Sequence, residues 1–212
     1  MQILALDTAS PVPSVTLLAA GGGVWEQPIP QDRRASEELL PAIGRCLASA
    51  GTVLTECDRI AVCSGPGSFT GLRIGLATAW ALGRATGVAV ETVSTLEALA
   101  ESVRGRGQVR VAAALDAGRG EVVLAFYSLE GKRARPESDP ALLPLELARR
   151  RVAGFPVVSI PSDLVAPAGE AAGVSPSHAL AFAVARAPGE PLSRLTGIYS
   201  RPSAAEEKHG SP

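Results

Sequence analysis

The sequence predicts an α/β protein built from two related lobes, and three observations support this prediction. Up to residue 103 the apolar patterns follow one another in the order βββαβαβα. A strand–Asp–turn–strand unit occurs twice, because the strand ending at Asp7 is echoed 109 residues later by one ending at Asp116. The basic, glycine-rich residues 104–107 are typical of a domain boundary. We therefore expect a first lobe over residues 1–104 and a smaller second lobe with a polar tail over residues 105–212.

The first lobe begins with three strands and continues as alternating helices and strands. Short apolar runs at residues 2–7, 14–20 and 24–29 are separated by proline- or glycine-rich turns, which predicts an antiparallel meander. An amphipathic helix follows over residues 36–50, with Ser36 as its N-cap and Gly51 after its last turn. The remaining elements are, in chain order, a strand at 59–64, a helix at 69–86 ended by Gly87, a strand at 88–93 and a helix at 95–103.

The second lobe repeats the opening strands, and its later pattern is looser. The strand that ends at Asp116 is followed by a strand over residues 121–128. The pattern then predicts, in order, a helix at 143–152, a strand at 156–160, a helix at 177–187 and a frayed polar tail from residue 203.

Composition and charge exclude several classes of function. The 20 basic side chains are balanced by 21 acidic ones, and a net charge of −1 does not favour a chain that grips nucleic-acid phosphates by itself. Prolines and glycines interrupt the uncharged residues 8–25, so no membrane span is expected there. Asp7 ends the first apolar run before it reaches the length of a signal-peptide apolar region, so no signal peptide is expected. Three cysteines without a CxxC pair are typical of reduced thiols, so we expect a cytoplasmic protein.

A glycine-rich segment, CSGPGSFTGLRIG at residues 63–75, joins a predicted strand to a predicted helix. Ser68 is placed to cap that helix, and Gly65 and Gly67 suit a tight turn. Exposed amides at a helix start also suit a phosphate group. However, Pro66 removes one amide donor and no GxxxxGK[ST] motif occurs, so the tight turn and the phosphate loop both remain open.

Small residues recur every four positions along the helix 69–86. They are Gly71, Gly75, Ala79 and Gly83, with Leu72, Leu76 and Leu82 supplying apolar area beside them. Each glycine costs a helix interior about 1 kcal/mol relative to alanine, so something must pack closely against this stripe. Two partners remain open at this point: the helix's own sheet, or a helix of a second chain.

Asp7 and Asp116 each end a strand just before a turn. Paired acids in two related lobes are how a sugar-kinase-like cleft holds Mg²⁺ and phosphates, and Thr8, Gly65 and Gly67 accompany them as candidate nucleotide-binding residues. The alternative is that each aspartate caps its own turn. The chain has two histidines, His178 and His209, which do not readily build a metal site or a Ser–His–Asp triad.

Several of these segments occur in the same order in a known family. They are LDTA at 6–9, GPGSFTGLRIG at 65–75, VSTL at 93–96, LDA at 115–117, GEV at 120–122 and YSRP at 199–202. Together they resemble the TsaB family, the bacterial partner proteins in tRNA threonylcarbamoyladenosine synthesis. The resemblance covers nearly the whole chain and implies the two-lobed actin/Hsp70/sugar-kinase-like fold, with a smaller, degenerate second lobe.

The TsaB family is itself similar to TsaD, the catalytic subunit, which belongs to the same "glycoprotease" family. TsaD holds a metal ion with two histidines four residues apart, and the matching positions here are Thr95 and Leu99. Leucine offers no donor atom, so the resemblance implies that the metal chemistry is absent. The family often has a histidine where this chain has Ala35, so no role of that histidine is transferred, and residues 154–173 match only loosely.

The resemblance therefore implies a non-catalytic partner that binds and activates a TsaD-like subunit, alongside a TsaE-like ATPase. Alone, the chain is expected to form a homodimer and to hold no cofactor, with ATP or ADP and Mg²⁺ bound only at a joint site in the complex and tRNA met only through the complex. The expected partner surface combines the small-residue stripe, together with Leu72 and Leu76 beside it, with Leu40, Ile43 and Leu47 of helix 36–50. The alternative is a nucleotide-dependent phosphotransferase that uses Asp7 and Asp116; proteolysis rests only on the inherited family name.

Overall fold

The computed structural model describes residues 1–30, 33–161, 164–165 and 175–192. The strands of the first sheet are β1 (Ile3–Asp7), β2 (Ser14–Leu18), β3 (Val24–Pro28), β4 (Arg59–Cys63) and β5 (Ala89–Val93). Their order in the sheet is β3-β2-β1-β4-β5, with β1 antiparallel to β2 and parallel to β4. The predicted three-strand meander and the two strands predicted after it are thus confirmed, and the structure shows that β4 and β5 are parallel.

Two helices, α1 (Ala35–Ala50) and α2 (Phe69–Thr86), cover one face of this sheet. Both end where the sequence predicts, because Gly51 and Gly87 adopt left-handed φ angles of 66° and 78° that a side chain would disfavour. The predicted N-cap of α1 is wrong: the helix already begins at Ala35, so Ser36 lies inside its first turn.

The second sheet also has five strands among the described residues and repeats this arrangement in part, but no strand in it occupies the position that β5 holds in the first sheet. Its strands are β6 (Arg110–Gly118), β7 (Glu121–Ser128), β8 (Arg135–Pro136), β9 (Ala141–Pro144) and β10 (Val157–Ile160). The central strand β6 again has a hairpin partner, β7, on one side and a parallel strand, β10, on the other. Both β8 and β9 pair with β7, at different segments, so they share the position that β3 holds in the first sheet. The two-lobed actin/Hsp70/sugar-kinase-like fold with a reduced second lobe is therefore confirmed.

The remaining helices show that the lobes are not two successive segments. Helix α3 (Thr95–Ser102) packs on the second sheet, whereas α5 (Pro176–Arg186) returns to the first sheet and packs on β1, β2 and β4. The expected boundary between residues 104 and 105 therefore does not separate the lobes, because α3 lies before it but packs on the second sheet and α5 lies after it but packs on the first. The physical reason for this correction is that both faces of the first sheet are apolar: Leu4 and Leu6 face α1 and α2, so Ile3 and Ala5 need α5 on the other side.

The predicted helix over residues 143–152 is wrong in its first part. Leu142 and Leu143 lie in β9, opposite Val123 and Val122, and the helix α4 (Leu145–Arg151) begins only after Pro144. The YSRP segment at 199–202, the tail from residue 203 and part of the loosely matching segment 154–173 lie outside the described residues. Within the described part of the chain, none of the helices combines the length and apolar character that crossing a bilayer requires.

Candidate functional site

The turn after β1 is organised by the buried carboxylate of Asp7. Its Oδ1 accepts hydrogen bonds from the backbone N–H of Ala9 at 2.9 Å and of Ser10 at 3.2 Å, and its Oδ2 accepts one from the Ser10 hydroxyl. Burial raises the pKa of Asp7, although these hydrogen bonds act in the opposite direction. Both oxygens are therefore engaged by the aspartate's own turn, as the turn-cap interpretation of the sequence predicts.

The glycine-rich loop between β4 and α2 is pressed against that same turn. The Ser68 N–H donates to the Ala9 carbonyl at 2.8 Å, and the Thr95 N–H donates to the Gly65 carbonyl at 2.8 Å. A Cβ at Gly67 would overlap the carbonyl oxygen of Ala9, so only glycine fits there. The Ser68 hydroxyl accepts from the Gly71 N–H at 3.1 Å, which confirms the predicted N-cap of α2.

Asp116 lies across the cleft, near the end of β6, and its side chain is exposed. Its Oδ1 accepts a hydrogen bond of 2.7 Å from the Gly118 N–H within the β6–β7 turn. A cleft of about 280 Å³ separates the two turns. It is lined by Ala9, Ser10, Pro11, Gly67, Ser68, Leu115, Asp116, Ala117 and Val123.

This cleft is a poor fit for Mg²⁺ and a nucleotide. Asp116 lines it, but Asp7 is fully buried and does not, so the two acids do not face one another across a shared space. Thr8 does not line it either, because its hydroxyl donates to the Gly71 carbonyl at 2.6 Å. Among the described residues no cluster of three or more His, Cys, Asp or Glu side chains is placed to hold a metal ion.

Thr95 and Leu99, the two positions that match the metal-binding histidines of TsaD, are closed off by the core. Both side chains are buried, and Leu99 packs against Leu96 and Val111 between α3 and the second sheet. A hydroxyl and a hydrocarbon group in this setting do not provide a metal site.

The small-residue stripe of α2 faces the chain's own sheet. A Cβ at Gly71 would overlap the Thr8 carbonyl oxygen, one at Gly75 the Thr8 hydroxyl, and one at Gly83 would lie 2.9 Å from the Val88 carbonyl oxygen. The neighbouring Leu72, Leu76 and Ala79 are buried as well. The expectation that these six residues form a partner surface is thus wrong, and the close approach that the glycines permit is intramolecular.

The same correction applies to most of the α1 residues expected in a partner surface. Ile43 is buried against the first sheet and Leu47 is half-buried there. Leu40 differs, because 57% of its surface is exposed. Of the nine residues expected at a partner surface, Leu40 alone projects clearly into solvent.

The structure instead shows an outer surface on α1 and α2 that the sequence interpretation missed. We call the exposed residues Leu40, Gly44, Phe69, Ala77 and Ala81 the outer helix surface. Phe69 is held beneath the guanidinium of Arg73, whose Cζ lies 5.4 Å from the ring centroid. The signal was present in the sequence: Ala77 and Ala81 also recur every four residues, on the other side of the helix from the glycine stripe.

A wider, open groove of about 590 Å³ lies where α1 and α2 begin, beside the turn after β1. Two arginines, Arg33 and Arg34, and three hydroxyl groups, those of Ser36, Ser68 and Thr70, are among its lining residues. Ala35, the position at which the resembling family often has histidine, lines it too.

Fold and cleft together define a two-lobed protein of the actin/Hsp70/sugar-kinase class, and the described residues that line its cleft include a single carboxylate, that of Asp116. The family model described as "TsaD: tRNA N6-adenosine threonylcarbamoyltransferase" matches residues 12–149. Relatives carry a related name: the E. coli "tRNA threonylcarbamoyladenosine biosynthesis protein TsaB" is 36% identical over 155 residues, 72% of this chain and 66% of that protein. A Haemophilus influenzae protein of the same name is 37% identical over 135 residues, 63% of this chain and 57% of that protein.

Solved structures agree with these matches. A structure described as "YeaZ from Pseudomonas aeruginosa" has a TM-score of 0.75 and 32% identity, and covers 93% of this chain and 99% of that one. A second, described as an uncharacterized Pseudomonas aeruginosa protein with similarity to peptidase YeaZ, has a TM-score of 0.77 and 30% identity, with coverage of 94% and 99%. The chain belongs to the TsaB family, also named YeaZ, within the TsaD-like group.

Proposed function

We propose that the chain is a non-catalytic partner subunit in the synthesis of threonylcarbamoyladenosine beside the tRNA anticodon. The names of its relatives support a role in this pathway. The observation that most favours a non-catalytic role is the burial of Thr95 and Leu99, where a TsaD-like enzyme has its metal-binding histidines. In this proposal a TsaD-like subunit transfers the group from threonylcarbamoyl-adenylate, a TsaE-like subunit hydrolyses ATP, and the chain holds the TsaD-like subunit in its working form in the cytoplasm.

The outer helix surface is the face that best suits this partner. Gly44, Ala77 and Ala81 allow another helix to approach closely, and Leu40 and Phe69 would each contribute roughly 1.5–3 kcal/mol if fully buried. The same face joins two copies of the chain when no partner is present. One surface can serve both purposes because a TsaD-like partner has a related fold and can reproduce the near-twofold arrangement of the homodimer.

Nucleotide binding belongs, in this proposal, to the complex and not to the isolated chain. The described lining of the cleft between the lobes offers one carboxylate, whereas the groove at the start of α1 and α2 contains Arg33, Arg34 and several hydroxyls. That groove adjoins α1 and α2, so a partner docked on the outer helix surface would help to enclose it. ATP or ADP with Mg²⁺ would then bind at this joint site.

The phosphotransferase alternative has weaker support, because both oxygens of Asp7 are already hydrogen-bonded within their own turn. Calorimetry of the isolated chain with Mg-ATP separates the two functions, since a phosphotransferase must bind its substrate unaided. We expect no heat of binding. Micromolar affinity that is lost in Asp7→Asn would establish the alternative instead.

Reconstitution tests the proposal directly. The chain is combined with the TsaD-like and TsaE-like proteins of the same organism, threonylcarbamoyl-adenylate, ATP and unmodified tRNA, and modified adenosine is measured. We expect product only when both the chain and the TsaD-like protein are present. Product formed by the chain alone, or equal product without it, would refute the proposed function.

A matched pair of variants tests the partner surface. Leu40 and Val109 are 57% and 59% exposed, but Leu40 lies on the outer helix surface and Val109 in the second lobe, just before β6. Leu40→Asp should weaken binding of the TsaD-like subunit at least tenfold, because it places an unpaired charge in an apolar contact. Val109→Asp should leave binding within about twofold of the original. Equal effects of the two changes would show that the contact lies elsewhere.

A further inference from the structure

A concentration of arginines lies at one end of the second lobe. We call Arg110, Arg135, Arg149, Arg150 and Arg151 the arginine face. Ser128 of β7 is directly opposite Arg110 on one side and Arg135 on the other, so both arginine side chains project from the same face of the sheet. That face is the one covered by α4, because Phe126, two residues before Ser128, packs with the α4 residue Ala148.

The last turn of α4 brings three more arginines toward this end. Phe155, which follows α4, donates its N–H to the Val152 carbonyl at 2.9 Å, so the chain turns back immediately after the helix. Its ring meets the Phe126 ring edge-on with centroids 5.0 Å apart, and the Arg110 guanidinium carbon lies 5.3 Å from the Phe155 centroid. Phe155 therefore lies against Arg110, and Arg149, Arg150 and Arg151 stand in the helical turn that leads into this segment.

Most of this positive charge is not neutralised locally. Glu137 pairs with Arg110 at 2.6 Å and Glu146 pairs with Arg149 at 2.9 Å. Arg135, Arg150 and Arg151 are exposed, and none of the three has an ion-pair partner among the residues that the structure describes. Arginines in a last helical turn favour the helix dipole, but this accounts for neither Arg110 nor Arg135, which are on strands.

We propose that the arginine face contacts the phosphate backbone of tRNA when the chain is held in its complex. This inference rests on the proposed function, which supplies the RNA. Guanidinium groups fit phosphate oxygens in a bidentate manner, and three unpaired arginines beside a half-buried aromatic pair form a complementary surface for a polyanion. The chain as a whole carries a net charge of −1, so the contact adds to RNA binding by the complex and is weak for the chain alone.

The outer helix surface and the arginine face can be occupied at the same time, because they lie on different sheets. The outer helix surface belongs to α1 and α2 on the first sheet, whereas the arginine face belongs to the second sheet, on the side that α4 covers and α3 does not. A TsaD-like subunit on the first surface therefore leaves the second exposed to its substrate.

The test uses the full chain assembled with the TsaD-like and TsaE-like proteins, and measures the Kd for tRNA by fluorescence anisotropy between about 50 and 200 mM salt. The variant carries Arg135→Gln, Arg150→Gln and Arg151→Gln. Removing three phosphate contacts should raise the Kd at least tenfold near 0.1 M salt and make the slope of log K against log salt shallower by about two to three. The matched control carries Arg→Lys at the same three positions, which keeps the charge and should stay within about threefold of the original Kd.

Pull-down of the TsaD-like subunit accompanies each measurement. Normal assembly with an unchanged Kd and salt slope would overturn the inference while leaving the proposed function intact. Loss of assembly in the glutamine variant would show that the arginine face docks a protein and would also overturn it. Failure of the original chain to assemble would refute the proposed function, and the inference would fall with it.

Discussion

At the scale of single residues, the Asp7 carboxylate is bound within its own turn, where it accepts hydrogen bonds from two backbone amides and a hydroxyl. The pKa of this carboxyl is raised above its ordinary value of 3.8 by burial. An acid whose pKa is raised by folding holds more protons in the folded state, so its contribution to stability falls as the pH rises through the window above 3.8.

Asp7→Asn removes this titration and keeps an oxygen that accepts from the Ala9 and Ser10 amides. We compare the free energies of unfolding of Asp7→Asn and of the original protein by urea denaturation. The value for the variant minus the value for the original should increase as the pH rises from about 4 to 7. Asp7→Ala removes the acceptors and should cost about 1–3 kcal/mol across that range. A difference between Asp7→Asn and the original that does not change with pH would contradict this role of burial.

Gly71 and Gly44 are both interior helix glycines, yet their surroundings differ. A Cβ at Gly71 overlaps the Thr8 carbonyl, a backbone atom that cannot move aside easily, whereas nothing lies within 4 Å of a Cβ at Gly44. Gly44→Ala should thus stabilise the protein by about 0.5–1 kcal/mol through helix propensity. Gly71→Ala should destabilise it by roughly 1–3 kcal/mol in the same denaturation experiment, and a gain in stability there would contradict the observed packing.

At the scale of secondary-structure elements, α2 carries two kinds of surface on opposite sides. Its glycine stripe lies against Thr8 of the turn after β1, Val62 of β4 and Val90 of β5, and its exposed alanines belong to the outer helix surface. If the outer helix surface binds the partner as proposed, adjacent positions on one helix separate folding from partner binding.

Leu76 and Ala77 allow that separation to be tested. Leu76 is 4% exposed, so Leu76→Glu would bury an unpaired charge and should unfold the chain, as seen by loss of its circular dichroism spectrum. Ala77→Glu should keep the spectrum but prevent both dimer formation and binding of the TsaD-like subunit in sedimentation experiments. Normal association by a folded Ala77→Glu variant would exclude this surface as the interface.

At the scale of the whole molecule, buried ion pairs connect the second lobe to the first. Arg133, in the loop before β8, donates to Glu91 of β5 at 2.7 Å and to Glu97 of α3. The adjacent Ala134 N–H donates to Glu101, whose carboxylate also binds Arg186 of α5. Burial raises the pKa of Glu97, and the charge and hydrogen bonds of Arg133 act to lower it. One loop of the second lobe is thus tied to elements on both sheets.

Arg133→Ala leaves the largely buried Glu97 carboxylate without its guanidinium partner and Glu91 with only the longer contact to Arg59 at 3.5 Å. It should therefore lower the free energy of unfolding by about 3–5 kcal/mol. Arg110 provides the control, because its equally close pair with Glu137 is exposed to solvent and screened by it. Thermal denaturation should therefore show a large decrease in Tm for Arg133→Ala and almost none for Arg110→Ala. Similar decreases would mean that burial does not decide the strength of the Arg133 pairs.

The sequence alone determined the features that depend on neighbouring residues. The sequence of strands and helices along the first lobe and the caps at Ser68, Gly51 and Gly87 follow from local patterns, because each depends on residues close together in the chain. The resemblance carried by the GPGSFTGLRIG segment added the fold and the family.

Only the tertiary structure decided which face of each element turns inward. A glycine at position 71 would allow the backbone of this chain or of a second chain to approach closely. The structure shows that the approaching backbone is that of Thr8 in the same chain. Leu143 fits the helical pattern of residues 143–152, but its pairing with Val122 of β7 places it in a strand. Likewise α5 is far from β1 in sequence and covers it because the apolar side chains of Ile3 and Ala5 need a second layer. The apolar periodicity of a segment predicts which of its faces is apolar. Only contacts between segments distant in the sequence determine which element buries that face.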